Sequence, residues 1–210
     1  MEELLYRIRY ADDSITALIN KRWAEFQKMK NASENDWFSE LCFCILTANA
    51  SAEMGIRVQN ALGYEGFAKI PAGQLPESLK KAGSRFYNRR AEFIIGARKF
   101  DGKLKKILLG IENEGERREW LVKNIKGIGY KEASHFLRNV GAAQDVAIID
   151  KHILRLLKKH KIIGETKKMA GREKYIEIEN AIKKIAKKAD MPVGKLDLYL
   201  WHMQTGKVLK

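Results

Sequence analysis

A short glycine-containing turn at residues 127–129 has the composition of an anion-binding turn. Gly127-Ile128-Gly129 separates two stretches with helical spacing, the first ending at Ile125 and the second beginning near Tyr130. Glycine lacks the Cβ atom that would hold a backbone away from a ligand, and the free amides at the start of a helix attract anions. The pattern therefore predicts a phosphate site formed by Gly127, Ile128 and Gly129. An ordinary corner between two helices would use glycine in the same way.

Lys131 lies in the first turn of the second predicted helix, where a lysine has no structural advantage. The helix macrodipole favours cations at the C-terminal end of a helix and disfavours them at the N-terminal end. A lysine amine acts as a nucleophile only when it is neutral, and it can then form a Schiff base with its substrate. Lys131 is therefore a candidate nucleophile.

Asp150 is the second side chain whose position suggests chemistry. It ends the loop of residues 141–149 and directly precedes a helical pattern that begins at Lys151, which is an N-cap position. Capping alone would explain an aspartate there. A capped carboxylate is also held ionised and in place, so it could stabilise positive charge that develops in a transition state. The two roles are compatible.

Several other chemistries lack the residues that they need. Cys42 and Cys44 lie in an apolar helical stretch, and the chain has no further cysteine to complete a disulfide framework or a metal site. The sequence contains neither a P-loop nor a nucleophile elbow, which argues against NTPase and serine-hydrolase activity. We therefore predict no metal and no cofactor. The histidines have no metal-ligand spacing; they are His135, His152, His160 and His202.

The charge of the chain indicates a polyanionic partner. Its 210 residues include 40 Lys and Arg against 26 Asp and Glu, a formal net charge of +14. Within residues 151–210 the balance is 16 basic against 6 acidic side chains. Basic side chains placed on phosphates release condensed counterions, which favours binding to nucleic acid. Lysine-rich helices that only keep a protein in solution, or that reflect life at high temperature, are the alternative explanation.

The N-terminal stretch MEELLYRIRYADD is interrupted by charges and does not have the pattern of a signal peptide. No apolar run approaches the roughly twenty residues that a membrane-spanning helix requires. These features predict an intracellular protein of the cytoplasm or nucleoid, without a membrane partner.

Helical spacing recurs along the chain, and no segment alternates as a β-strand does. Apolar residues share one face over residues 37–48, behind a possible cap at Ser33, and again over residues 175–189. The sequence therefore predicts an all-α fold. Further helices are expected near residues 2–30, 52–62, 74–82, 86–100, 116–124, 131–139, 151–160 and 194–205.

We expect these helices to form two lobes with a cleft between them. The central lobe would comprise residues 31–140 and carry the hairpin. The terminal lobe would combine residues 1–30 with residues 141–210.

Residues 125–133, with the sequence IKGIGYKEA, resemble the hairpin of the helix-hairpin-helix DNA glycosylase superfamily. In its bifunctional members a lysine stands two residues after the second glycine, as Lys131 does here, and an essential aspartate follows nineteen residues later, at Asp150. The resemblance implies that Lys131 attacks a sugar C1′, expels the base and leaves a Schiff base. The loop before Asp150 lacks the Gly-Pro that is usual in the superfamily.

Almost the whole chain is similar to the second family of 8-oxoguanine DNA glycosylase/lyases, the small type of archaea and some thermophilic bacteria. The four C-terminal cysteines of iron–sulfur members are absent. The resemblance implies an enzyme that extrudes 8-oxoguanine from duplex DNA, cleaves the glycosidic bond and nicks the strand by β-elimination without a cofactor. The similar segments are residues 45–52, 127–139, 148–155, 195–201 and 206–210.

The resemblance also implies how the lesion is read. In this family the terminal lysine, here Lys210, helps to distinguish 8-oxoguanine from guanine. The lesion carries an N7–H donor where guanine has an acceptor, so a carboxylate or backbone carbonyl at the terminus would favour the lesion. Trp201 would stack on the extruded base, or it would be an ordinary core tryptophan. Asp197 is a further candidate for the base pocket.

Three more side chains are implied to enter the duplex or contact the opposite base. Asn49 would fill the gap left by the extruded base, although an asparagine that simply ends a helix would look the same. Arg85 and Phe86 would insert near the lesion or its partner, and Phe86 could equally belong to the core.

Two other functions stay open at this point. One is a glycosylase/lyase of the same fold that acts on oxidised pyrimidines. The other is a non-catalytic helix-hairpin-helix module, which would need the glycines but neither Lys131 nor Asp150. The expected partner under the leading hypothesis is double-stranded DNA that contains 8-oxoguanine or abasic sites, bound by a monomer.

Overall fold

A computed structural model describes residues 1–164 and 171–210 of the chain. Within these ranges the regular secondary structure is helical and contains no β-strand, so the all-α prediction is confirmed. None of the helices there is long and apolar enough to cross a membrane. The helices are α1 (Glu2–Arg9), α2 (Asp13–Met29), α3 (Glu34–Thr47), α4 (Ala52–Lys69), α5 (Leu75–Lys81), α6 (Tyr87–Ala97), α7 (Leu104–Leu109), α8 (Glu114–Asn124), α9 (Tyr130–Asn139), α10 (Lys151–Lys159), α11 (Arg172–Lys188) and α12 (Val193–Thr205), with a 3-10 turn at Arg98–Phe100.

Three features of the helices differ from the prediction. The helix expected over residues 2–30 is two helices, because Asp12 caps α2 by accepting a hydrogen bond from the Ser14 amide at 2.8 Å. Helix α4 runs on to Lys69 past a kink at Gly63, where φ is +58°. Helix α7 was not predicted, since six residues are too few to show a clear helical period.

Helix α3 is the central element of the molecule. Its N-terminus is a capping box, in which the Ser33 hydroxyl accepts from the Asp36 amide and the Asp36 carboxylate accepts from the Ser33 amide. From Trp37 to Thr47 every residue except Ser39 is buried. Helices α4, α6, α7 and α9 pack around it. The cap predicted at Ser33 is confirmed.

Buried apolar side chains form two clusters. The first cluster extends from α3 to the loop after α9, and its last member is Val146. The second cluster joins α1 and α2 to α10, α11 and α12, and the chain enters it at Ala147. These clusters support the division into lobes at residues 31–140 and at residues 1–30 with 141–210, which stays a proposal.

A buried ion pair links the two clusters beside the hairpin. Arg118 of α8 donates from both terminal nitrogens to the Glu179 carboxylate of α11, at 2.5 and 3.0 Å. Glu179 also accepts a hydrogen bond from the Ala147 amide at 2.8 Å. Because both partners are almost fully buried, removing either one would leave an uncompensated charge in the interior.

Candidate active site

A cleft of about 720 Å³ lies where the two apolar clusters meet. It brings together side chains from α9, the start of α10, α12 and the C-terminal tail. Phe86 and the hairpin residues Gly127, Ile128 and Gly129 are not among its lining residues. The sequence-predicted residues that do line it are Asn49, Arg85, Lys131, Asp150, Asp197, Trp201 and Lys210.

The hairpin beside the cleft needs glycine at Gly127 for two reasons. Its φ is +85°, and a Cβ atom there would lie 2.2 Å from Cδ2 of Phe93. Gly129 precedes α9, and its amide donates to the Glu132 carboxylate at 3.3 Å. The Ile128 amide donates to the Ile125 carbonyl, also at 3.3 Å. Since these two amides have acceptors within the protein, a phosphate would depend chiefly on the first-turn amides of α9.

Lys131 is the second residue of α9 and extends toward the cleft. Its side chain is 25% exposed, and Nζ lies 3.8 Å from Oε1 of Glu132. One turn later on the same face, His135 is buried beneath it. Burial, together with the charges of Arg138, Lys131 and Lys210, lowers the pKa of His135 well below its ordinary value, while a hydrogen bond with the Lys210 backbone acts in the opposite direction. His135 is therefore neutral.

Asp150 caps α10, as its place in the sequence suggested. Oδ1 accepts hydrogen bonds from the amides of His152 at 2.8 Å and Ile153 at 2.9 Å. Both bonds engage the same oxygen, and within the described residues Oδ2 accepts no hydrogen bond. Capping therefore uses half of the carboxylate and leaves the other oxygen for a ligand.

Asp197 is committed to a neighbouring arginine. Its Oδ2 atom lies 2.5 Å from Nη1 of Arg138, and both side chains are at least nine-tenths buried. Burial raises the pKa of Asp197 to about 7, because desolvation outweighs the attraction of Arg138 and because the Asp150 charge adds to the rise. Direct contact between Asp197 and a base stays a prediction.

The C-terminal tail is docked against the rest of the protein. Val208 is 8% exposed, and Lys210 reaches across to the first apolar cluster. Its Nζ atom lies 2.7 Å from Oε2 of Glu40 and 2.5 Å from Oε1 of Gln59. The same nitrogen stands 4.4 Å from the ring centroid of Phe43. The ammonium of Lys210 is thus an anchor, and its backbone is the part that approaches His135.

Two exposed loop residues at the rim have left-handed backbone conformations. Helix α3 ends at Thr47 with Ala48 as its C-cap, and Asn49 follows directly, exposed, with φ of +54°. A left-handed asparagine just after the C-cap is a common way for a helix to end, so this alternative to duplex insertion stays open. Phe86 has φ of +53° and is 58% exposed, so the alternative that placed it in the core is wrong. The Arg85 guanidinium lies 5.2 Å from the Phe86 ring centroid.

Arg90 connects the loop that contains Asn49 with the loop that contains Phe86. The side chain is buried, and it donates to the Ala48 carbonyl at 2.8 Å and to the Ser84 hydroxyl at 3.3 Å. Burial lowers its pKa to about 10, and the neighbouring Arg85 charge adds to this effect. The guanidinium stays protonated near neutral pH and holds both loops at the mouth of the cleft.

Sequence reasoning missed the polar residues that lie under the cleft. Three of them carry a signal in the sequence, which is a charged or amide side chain within or at the end of an apolar helical stretch, whereas Gln59 and His135 do not. Glu40 interrupts the apolar run of α3 in this way, and Arg138 and Asn139 end the apolar face of α9. The missed residues are Glu40, Gln59, His135, Arg138 and Asn139.

The two cysteines and Trp201 lie where the sequence allowed them to lie. Cys42 and Cys44 are free and buried, and burial raises the pKa of both thiols, so their assignment to the core is confirmed. Trp201 is half-buried, packs against the second cluster and lines the cleft. In the described part of the chain, no group of three or more His, Cys, Asp or Glu side chains is arranged to hold a metal ion.

Comparison with known proteins places this geometry in context. A family model described as 8-oxoguanine DNA glycosylase matches residues 19–191. The 8-oxoguanine DNA glycosylase/AP lyase of Methanocaldococcus jannaschii is 53% identical over 199 residues, which covers 95% of each chain. The protein of the same name from Thermotoga maritima is 46% identical over 211 residues, which covers 100% of each.

Two solved structures are closely similar along the full length. The M. jannaschii 8-oxoguanine glycosylase/lyase, crystallised in complex with 15mer DNA containing 8-oxoguanine, superposes with a TM-score of 0.93 at 50% identity, covering 99% of this chain and 98% of that one. The 8-oxoguanine DNA glycosylase of T. maritima gives a TM-score of 0.92 at 45% identity, covering 100% and 99%.

Proposed function

Because the chain belongs to the 8-oxoguanine DNA glycosylase family, we propose that its cleft receives an 8-oxoguanine turned out of double-stranded DNA. The chain is a DNA glycosylase that also acts as an AP lyase, and DNA is its substrate. Of the three functions left open by the sequence, this one agrees with the family. Oxidised pyrimidines and a non-catalytic binding module do not.

Lys131 is the proposed nucleophile. Its amine would attack C1′ of the damaged nucleotide, so that a carbon–nitrogen bond forms while the bond from C1′ to the base breaks and the base leaves with a proton. Opening of the C1′–O4′ bond, with transfer of a proton to O4′, then converts this adduct into a Schiff base. The Schiff base makes the neighbouring C2′ proton acidic, and loss of that proton expels the 3′ phosphate by β-elimination. The position of Lys131 at the cleft end of α9 supports this role.

Asp150 is the proposed electrostatic partner. The oxygen that caps α10 fixes the carboxylate, and the other oxygen is then available to a sugar that becomes positively charged as its base departs. A preorganised charge of this kind stabilises a transition state without having to reorganise. A loose carboxylate on a mobile loop would supply much less.

The base would be bound in the part of the cleft that is lined by α12 and the C-terminal tail. Trp201 offers an aromatic face for stacking. The carboxylate or carbonyl of Lys210 would accept the N7–H of 8-oxoguanine, because the ammonium of that residue is already held by Glu40 and Gln59. Guanine has no donor at N7 and would leave such an acceptor unpaired. Asp197 borders the same space.

The duplex would be held at the rim by a monomer of the protein. Asn49, Arg85 and Phe86 are exposed, Asn49 and Arg85 line the cleft, and the three would enter the space that the extruded base vacates. The hairpin at Gly127–Gly129 and the start of α9 would bind the backbone phosphates. Abasic DNA would use the same contacts without a base in the pocket.

One observation carries the assignment, namely that Lys131 and Asp150 line one cleft although nineteen residues separate them. Borohydride reduction tests it, since it converts a Schiff base into a permanent link. Wild-type protein should become linked to DNA that carries 8-oxoguanine or an abasic site. Lys131→Gln should bind both DNAs with normal affinity and link to neither, with strand cleavage reduced about a thousandfold or more. Normal linkage by Lys131→Gln would place the nucleophile elsewhere.

A further inference from the structure

The side chain of the C-terminal lysine, Lys210, is held by Glu40, a residue that has no role in the proposed bond-making steps. Glu40 lies in the middle of α3, far from the tail in sequence, and its Oε2 atom accepts from Nζ of Lys210 at 2.7 Å. The Glu40 side chain is 6% exposed and the Lys210 side chain 22%. This pair therefore connects the last residue of the chain to the central helix of the first apolar cluster.

The surroundings of Glu40 leave it a single orientation. Its second oxygen, Oε1, accepts from Nδ2 of Asn139 at 2.7 Å. The side-chain oxygen Oδ1 of Asn139 in turn accepts from Nε and Nη2 of Arg138 at 3.0 and 2.9 Å, and Arg138 is paired with Asp197 at the cleft wall. Each group in this series has its donor and acceptor sides assigned, so Glu40 cannot rotate without breaking a buried hydrogen bond.

A buried carboxylate requires a compensating cation, and the Lys210 ammonium is in contact with it. Gln59 completes the arrangement, because its Oε1 atom accepts from Lys210 while its Nε2 atom donates to Glu40 at 3.3 Å. The Phe43 ring lies under the same ammonium. The ammonium is thereby occupied on several sides, and the backbone of Lys210 is the part that is left to face a ligand.

We propose that Glu40 is a positioning residue that fixes the chain terminus in the cleft and thereby sets the preference of the enzyme for 8-oxoguanine over guanine. The proposal rests on the proposed function, in which the Lys210 terminus reads the base. Glu40 does not touch the base. It acts by holding the ammonium, so that the terminal acceptor stands at one distance from N7 of the extruded purine.

The neighbouring ion pair of the tail provides a matched control. Lys207 Nζ lies 2.6 Å from Oε1 of Glu53, but these side chains are 56% and 47% exposed. Exposed pairs of this kind contribute little. Glu53→Gln removes a carboxylate from the same tail and is expected to leave both base excision and strand cleavage within about twofold of wild type.

Glu40→Gln is the informative change, since it keeps the shape but presents an amide to the Lys210 ammonium. Single-turnover excision of 8-oxoguanine should fall about 10- to 100-fold, the size expected for the loss of one charged hydrogen bond. The ratio of 8-oxoguanine to guanine excision should shrink with it. Cleavage at a preformed abasic site, which offers no base to read, should stay within about threefold of wild type.

A double-mutant cycle with Lys210→Met separates positioning from general stability. If Glu40 acts through the ammonium, Glu40→Gln combined with Lys210→Met should show the same excision ratio as Lys210→Met alone. The double variant also removes both charges together, which keeps the measurement available if Glu40→Gln alone does not fold. The proposal would be overturned if the losses of excision caused by Glu40→Gln and Lys210→Met added up in the double variant. It would also be overturned if Glu40→Gln left the ratio of 8-oxoguanine to guanine excision unchanged, or if it lowered activity on 8-oxoguanine and abasic DNA equally.

Borohydride linkage shows whether a negative result concerns only the role of Glu40 or the proposed function itself. If wild-type protein links to abasic DNA and excises 8-oxoguanine, but Glu40→Gln leaves the excision ratio unchanged, only the role of Glu40 is wrong. If wild-type protein does not link to either DNA, the proposed function is wrong as well.

Discussion

The two sides of the cleft are built in different ways. On one side, the hairpin and Lys131 lie within a few consecutive residues, and their geometry follows from a glycine turn and the start of a helix. On the other side, the docked terminus depends on contacts of Lys210 with Glu40 and Gln59, which lie 170 and 151 residues before it in the chain. The first side carries the proposed bond-making chemistry, and the second carries the proposed reading of the base.

Because the two sides are built differently, substitutions can alter the chemistry and the reading of the base separately. A local motif keeps its geometry as long as its turn and cap are intact, so the chemistry should tolerate changes in distant helices. The docked terminus depends on contacts between two apolar clusters, so its position should respond to changes in either cluster. The comparison therefore predicts that damage to the hairpin side affects every DNA substrate, whereas damage to the terminus affects only substrates with a base.

After Lys131→Gln, the largest effect is expected for Asp150→Asn, the second residue of the proposed chemistry. Asparagine also caps helices well, so the melting temperature should change little. A neutral amide cannot stabilise the positive sugar, and single-turnover excision of 8-oxoguanine should fall by about 10²- to 10³-fold. Quenched-flow assays on 8-oxoguanine duplexes measure this rate. A folded variant with near-normal excision would return Asp150 to a purely structural role.

The next effect concerns Asp197, where the two sides meet through Arg138. In the unfolded chain its carboxyl titrates near 3.8, and burial raises its pKa to about 7 in the folded protein. Between these pH values the folded state holds the extra proton, so this group makes the protein less stable as the pH rises through the interval. Above about pH 7 its contribution is constant.

Denaturant unfolding of wild type and Asp197→Asn over a pH series isolates this group. The unfolding free energy of wild type minus that of the variant should decrease by up to about 4 kcal/mol between pH 4 and 8. A difference that stays flat over this range would show that Asp197 is ionised throughout, as a fully compensated partner of Arg138.

The sequence could predict the local side of the cleft but not the long-range side. The glycine turn, the first-turn lysine and the cap at Asp150 are each encoded within a few neighbouring residues, and a local pattern is enough to find them. The pairing of Glu40 with Lys210 depends on how the two apolar clusters pack against each other. A single sequence does not show which residues of distant helices come into contact. Helix α7 and the break at Asp12 were missed for the opposite reason, since their signals are local but too short to stand out.

Deleting Lys210 tests the terminus directly and should have a smaller effect than Asp150→Asn. It removes the ammonium and shifts the terminal carboxylate by one residue, while Lys131 and Asp150 are unchanged. Excision of 8-oxoguanine should fall about 10- to 100-fold, and its advantage over guanine should shrink.

Cleavage of a preformed abasic site by the same deletion variant should persist. Equal losses of excision and cleavage, together with a lower melting temperature, would mean that the tail only holds the fold together. No loss of either would contradict base reading by the terminus.

The smallest effect is expected in the hairpin, from a pair of glycine substitutions. At Gly127 an alanine would need a positive φ and would place Cβ 2.2 Å from the half-buried Phe93 ring, which would have to shift. The strained conformation costs about 1–2 kcal/mol, and displacement of the turn should weaken DNA binding about tenfold. At Gly129, Cβ would lie 3.3 Å from a Glu132 oxygen at the end of a flexible side chain, and φ is −99°, so alanine there should change binding much less.

Because the hairpin would bind phosphates and not the base, Gly127→Ala should lower the affinity for 8-oxoguanine, undamaged and abasic duplexes by the same factor. The ratio of 8-oxoguanine to guanine excision should then equal that of wild type, unlike the ratio for the terminus variants. Fluorescence anisotropy on the three duplexes measures the affinities. A loss confined to the 8-oxoguanine duplex would mean that the hairpin also positions the base, and the division between a chemical side and a reading side would no longer hold.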